Sequence, residues 1–197
     1  MLKTLEEQAR RYATKAHADA GQRRKYTDEP YIVHPAAVVE LVRSVCADEE
    51  ILAAAWLHDT VEDTPSTVND IHNFFGPRVA SLVAMLTNPG DEAGQNRSAR
   101  KKAHFRHTQQ ASPDAQTIKL ADIIDNTRSI THFDPHFARV YLIEKRVQIG
   151  LLTAGNPALW QQAHQVIEQG IAQLSQPPHN VPASWFAAYE EKYRDDI

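Results

Sequence analysis

Apolar residues recur along this chain at spacings of three and four, and almost no stretch alternates strictly between polar and apolar positions, so the pattern predicts helix after helix and no strand. The first helix is expected from about Thr4 to Ala20, stopped by Gly21, a residue suited to the left-handed C-terminal cap, with a polar and basic loop from Gln22 to Pro30. Pro35 to Cys46 carries Val38, Leu41, Val42 and Val45 on one face, and Glu49 to His58 is nearly all apolar after its opening acids, which predicts a buried helix. Thr67 with Asp70 resembles a capping box, Gly76 ends that helix, and Pro77 opens the next, with Val79, Leu82, Val83 and Leu86 facing inward. Asn88 to Asn96 reads as a loop. Ser112-Pro113, Asp134-Pro135 and Asn156-Pro157 each place a capping side chain before a proline, so helices start near 113, 135 and 157. Ser175 to Pro182 breaks the pattern before a last helix near Ser184 to Arg194.

The expected class is therefore all-α, a single helical bundle over residues 1–197. At 42% hydrophobic and 23% charged residues the composition is that of a soluble globule, and the lone Cys46 excludes a disulfide framework. No apolar run approaches the roughly 20 residues of a membrane-spanning helix, and the N-terminus lacks the apolar core of a signal peptide, so the expected location is the cytoplasm and no membrane partner is expected. A net charge of -4 argues against a nucleic-acid binder, and nothing in the pattern decides the oligomeric state.

The buried helix ends in unusual chemistry. Ala55-Trp-Leu-His58-Asp59-Thr-Val-Glu62-Asp63 brings four ionisable groups directly out of an apolar run. Burying imidazole and carboxylate together is costly unless a divalent ion compensates for the lost solvation. On a continuing helix, Glu62 and Asp63 stand one turn beyond His58 and Asp59 on the same faces. His34, just before Pro35, and Asp122, an acid inside another apolar helix, are candidates to join them. The other histidines, His17 among them, lack partners at ligand spacing, and there is neither a nucleophilic triad nor a glycine-rich phosphate loop.

His34, His58-Asp59, Glu62-Asp63 and Asp122 with Asn126 stand in the order of the HD-domain metal-dependent phosphohydrolases. Gly21-Gln-Arg-Arg-Lys25, Glu29-Pro-Tyr-Ile-Val-His34-Pro35, Ala54 to Thr64 and Lys119-Leu-Ala-Asp122 resemble the hydrolase domain of RelA/SpoT-type alarmone enzymes over roughly residues 8 to 150, with 151–197 as closing helices. The length resembles that of the stand-alone small alarmone hydrolases, with too little chain after the match for a synthetase domain.

The resemblance implies that His34, His58, Asp59 and Asp122 hold one divalent ion per chain, usually Mn²⁺, and that Glu62 and Asp63 position and deprotonate the attacking water. Two imidazoles and two carboxylates independently suit Mn, Fe or Zn better than Ca or Mg. It also implies that Arg24 and Lys25 bind phosphates and that Asn126 contacts the nucleoside, with Arg128 a neighbour. The implied activity is Mn-dependent 3′-pyrophosphohydrolysis of (p)ppGpp, releasing pyrophosphate, as in the stringent response. The alternatives are hydrolysis of another nucleotide, a ppApp-type alarmone or NADPH, and a catalytically silent nucleotide-binding HD domain.

Two features depart from the family pattern. Ile123, Ile124 and Asp125 stand where a basic residue and then an aromatic or histidine are usual, and Thr87 to Gly94 lacks the usual lysine. A second basic stretch, Arg97, Arg100, Lys101, Lys102 and Arg106, has no acid between Gly94 and Pro113 and could face further phosphates or simply solvent.

Overall fold

The computed structural model describes residues 3–90 and 94–196, with side chains placed as far as residue 194. Among the described residues there is no strand, and the nearest approach to one is an isolated antiparallel bridge between Arg23 and Pro30 that pinches the first loop closed. The helices are α1 (Leu5–Asp19), α2 (Val33–Arg43), α3 (Glu49–Leu57), α4 (Thr60–Asp63), α5 (Val68–Phe75) and α6 (Pro77–Leu86). They continue with α7 (Arg97–Gln109), α8 (Pro113–Thr127), α9 (Ile130–Phe133), α10 (Pro135–Leu151), α11 (Pro157–Ser175) and α12 (Ala183–Glu190), closed by a 3₁₀ turn at Glu191–Asp196.

The predicted boundaries follow their capping chemistry. Gly21 and Gly76 take positive φ, +65° and +89°, at the two places where a helix must stop and the chain must turn. Thr67 and Asp70 form the capping box reciprocally. Ser112, Asp134 and Asn156 each accept a backbone N–H within the helix that their proline opens. The expected loop over 88–96 is present on either side of residues 91–93, which lie outside the described residues.

Helix α3 is the centre. Every residue from Ile51 to Leu57 is buried, and the helix is packed by α1, α2, α6 and α8. Each large aliphatic side chain so enclosed contributes about 1.5–3 kcal/mol of hydrophobic stabilisation. Helix α8 is almost as enclosed, with Ile118, Leu120, Ile123 and Ile124 fully buried, and it lies against α2 on one side and α11 on the other. The ends of α2, α3 and α8 therefore meet inside the protein, and that is where their polar residues cluster.

The structure breaks the helix expected to run on through Asp63. Helix α3 stops at Leu57, and α4 is a separate turn that begins after Asp59. The break is stabilised locally, because His58 Nδ1 donates to the Ala55 carbonyl (2.8 Å) and Thr60 Oγ1 to that of Leu57 (2.7 Å), satisfying carbonyls that the continuing helix would have used. Glu62 and Asp63 thus reach the cluster from a different helix, not from one turn further along the same faces.

A second polar feature locks the C-terminal helices in place. Glu144 on α10, 1% exposed, accepts from Arg97 (2.8 and 2.9 Å), Tyr189 (3.2 Å) and Tyr193 (3.1 Å). This takes Arg97 out of the basic stretch considered for phosphate binding and gives it a structural partner. Glu144→Ala strands a guanidinium and two phenols at once, and the expected loss of stability is about 2–4 kcal/mol by urea denaturation.

Candidate functional site

Three elements deliver the site. Helix α2 carries His34 as its second residue, the α3–α4 break carries His58 and Asp59, and α8 carries Asp122, Asp125 and Asn126 on one face at spacings of three and four. His34, His58 and Asp59 each offer a ligand atom within 4.8 Å of the others. His34 Nε2 lies 3.6 Å from Asp59 Oδ2 and 3.1 Å from Asp122 Oδ1, and His58 Nε2 lies 3.1 Å and 3.8 Å from the same two oxygens. Asp122 adjoins the trio, and its carboxylate also accepts from Lys119 (2.8 Å) and Asn126 (2.7 Å).

The electrostatics are those of a cluster short of positive charge. Burial alone would push both imidazoles down, but the surrounding carboxylates reverse this, raising His34 and lifting His58 to about 10. Burial likewise opposes ionisation of Asp59 and Asp122, yet His58 beside the first and Lys119 beside the second hold both carboxyls below the ordinary range. Two imidazolium protons supply two positive charges in the space where one divalent cation would supply the same charge. His58 Nε2 is buried without a hydrogen bond while its Nδ1 is committed to Ala55, so Nε2 is the atom that faces the carboxylates, and a cation bound there would take the place of its proton. A buried, unpartnered imidazole nitrogen facing carboxylates fits a divalent metal, and the mixed nitrogen and oxygen donor set is that of a transition ion.

Around this centre the other expected residues divide. Glu62 lies at its edge, where its carboxylate accepts from the backbone N–H and side-chain amide of Asn88 (3.0–3.1 Å). Asp63 accepts from Gln22 Nε2 (2.8 Å), and its carboxyl is raised by desolvation and by the negative charge of Asp59 and Glu62. Arg24 donates to Asn126 Oδ1 (3.2 and 3.3 Å), joining the first loop to α8. Lys25 is largely exposed, 4.8 Å over the Tyr26 ring. Arg128 is exposed just beyond the end of α8 and does not line the cavity that Arg24, Lys25 and Asn126 line.

That cavity, about 370 Å³, opens beside the cluster between the first loop and α8–α10. Its lining combines Arg24, Lys25 and Asn126 with an aromatic wall of Tyr26, Phe133, Phe137 and Tyr141. Tyr26 and Phe133 stack with their rings 2° from parallel and 5.6 Å apart, and Phe133 is 41% exposed. Cations beside aromatic faces suit a ligand with a flat ring and several phosphates.

The sequence reading missed five supporting residues. His17, expected to lack partners, is buried: Nδ1 donates to Gln22 Oε1 (2.6 Å), and the ring packs on Tyr31 with centroids 4.7 Å apart. Gln22 passes that contact on to Asp63, and Tyr31 donates to Asp59 Oδ2 at 2.6 Å. Lys119 and Asn88 complete the set. Gln22, Tyr31 and Lys119 lie within the stretches that carry the family resemblance, which is the signal that could have found them.

Comparison with known proteins gives the chain a family. A family model described as an HD domain matches residues 9–148. The chain is 36% identical over 121 residues to a probable guanosine-3′,5′-bis(diphosphate) 3′-pyrophosphohydrolase of Synechocystis, an alignment covering 60% of this chain and 16% of that protein. It is 38% identical over 112 residues to the Drosophila melanogaster enzyme of that description, covering 55% of this chain and 61% of that one. The chain thus spans less than two thirds of the length of these relatives. Among solved structures, one described as a metazoan SpoT ortholog that hydrolyses ppGpp superposes with a TM-score of 0.74 at 29% identity, covering 86% of this chain and 97% of that one.

Proposed function

The chain belongs to the HD-domain family, and from that premise we propose that it is a metal-dependent pyrophosphohydrolase that removes the 3′-diphosphate of guanosine-3′,5′-bis(diphosphate). The observation that carries this reading is the convergence of His34, His58 and Asp59, with Asp122 adjoining, beside a cavity lined by cations and aromatic rings. The names of the relatives supply the substrate.

In this reading His34, His58, Asp59 and Asp122 hold one Mn²⁺ per chain. When bound, such an ion polarises a phosphoryl oxygen and makes water more acidic. Glu62 and Asp63 hold the attacking water and take its proton, and desolvation together with the negative charge of Asp59 raises the Asp63 carboxyl, which makes it a stronger proton acceptor than an ordinary aspartate. Gln22 and Asn88 fix these carboxylates in place, which limits the reorganisation needed at the moment of attack. Arg24 and Lys25 bind the phosphates, Asn126 binds the nucleoside with Arg128 nearby, and the wall of Tyr26, Phe133 and Phe137 takes the base. The location that goes with this reading is the cytoplasm, and among the described residues no helix is long and apolar enough to cross a membrane.

Incubation of the purified chain with ppGpp and Mn²⁺, with products separated by ion-exchange chromatography, tests the reading. It predicts equal amounts of GDP and pyrophosphate. Intact ppGpp together with orthophosphate released from NADPH would transfer the assignment to a nucleotide phosphatase.

A further inference from the structure

Asp125 has no part in the reaction as described, and it occupies a segment in which this sequence departs from the family pattern. It lies three residues beyond Asp122 on α8, and its Oδ2 accepts from His34 Nδ1 at 2.6 Å. The His34 side chain is wholly buried, so water does not compete for that proton. A carboxylate only accepts, so Nδ1 keeps its hydrogen and Nε2 is the nitrogen turned toward Asp59 and Asp122. His58 is fixed in the same sense by the carbonyl of Ala55, a neutral acceptor. The two imidazoles of the cluster therefore differ in their backing, one against a dipole and the other against a full negative charge.

We propose that Asp125 is a positioning residue that fixes the tautomer and ring orientation of His34 and strengthens Nε2 as an electron-pair donor to a divalent ion. A carboxylate behind an imidazole raises its basicity, and removal of such a partner weakens metal binding by roughly 10- to 100-fold in characterised sites. The competing role for Asp125 is structural, since Arg24 Nη2 lies 3.9 Å from the same Oδ2 and an ion pair there could simply tether the first loop to α8. The geometry favours the histidine, because the contact to His34 is 1.3 Å shorter than the contact to Arg24 (3.9 Å against 2.6 Å) and points into the interior.

The inference rests on the metal-centre reading, and titration of the metal-free chain with Mn²⁺ separates the two. Calorimetry on the native chain, Asp125→Ala, Asp125→Asn and Arg24→Ala gives the affinities. Proton NMR of the zinc-loaded proteins follows the slowly exchanging Nδ1–H of His34. Asp125→Ala is expected to bind Mn²⁺ roughly 10- to 100-fold more weakly and to lose that proton signal. Asp125→Asn, which keeps an oxygen acceptor without the charge, should keep the signal and lose less affinity, and it serves if the alanine variant does not fold. Arg24→Ala should bind the metal as the native chain does. Native affinity and an unchanged signal in Asp125→Ala overturn the inference and leave the metal centre standing, as does an equal loss in Arg24→Ala, which would make the tether the cause. A native chain that binds no Mn²⁺ overturns both.

Discussion

Asp59→Asn is expected to turn over ppGpp at least about 1,000-fold more slowly than the native chain, a barrier increase of about 4 kcal/mol. Asp59 meets both imidazoles of the cluster. Its Oδ2 lies 3.1 Å from His58 Nε2 and 3.6 Å from His34 Nε2 and accepts the Tyr31 hydroxyl at 2.6 Å. Asparagine keeps the shape and an acceptor for Tyr31 but removes the negative charge that a divalent ion requires, so the loss should lie in metal binding and not in folding. Circular dichroism should show native helicity, and calorimetry should show Mn²⁺ affinity greatly reduced. Turnover within tenfold of the native value would remove Asp59 from the centre.

Asp63→Asn is expected to separate the two layers of the site. Asp63 belongs to α4, outside the trio, and Gln22 orients it from the first loop. Loss of a positioned proton acceptor costs about 100- to 10,000-fold in kcat. Metal affinity should stay within a fewfold of native, because no atom of Asp63 belongs to the ligand group. Rapid-quench measurement of a single turnover, paired with Mn²⁺ titration, reads both quantities. Weakened metal binding in this variant with an unchanged chemical step would reverse the roles assigned to Asp59 and Asp63.

Most of the helices, α4, α7 and α9 excepted, were legible because their signals are local. A capping side chain before a proline, or a glycine after the last apolar position, acts within four residues, and the starts at Pro113, Pro135 and Pro157 followed directly. The histidines and acids of the cluster were legible because an ionisable group inside an apolar run has few physical explanations. The break between α3 and α4 was not, since it depends on His58 and Thr60 turning back to carbonyls that periodicity assigns to a continuing helix. His17 was misjudged, and Asp125 left without a role, for a different reason. Their partners, Gln22 and His34, come from other elements, and in Asp125 the partner lies 91 residues away in sequence. Arg97 shows the converse, because its place in a basic run pointed outward while Glu144, 47 residues on, draws it into the fold.

The central claim is that this chain hydrolyses its substrate through a single divalent-metal centre built from His34, His58, Asp59 and Asp122. The most direct measurement strips the purified protein with chelator, adds back Mn²⁺ in substoichiometric steps, and records ppGpp turnover against bound metal at each step. The account predicts no turnover in the stripped chain and a linear recovery that saturates at one ion per chain. Full turnover by the stripped protein in excess chelator would contradict it.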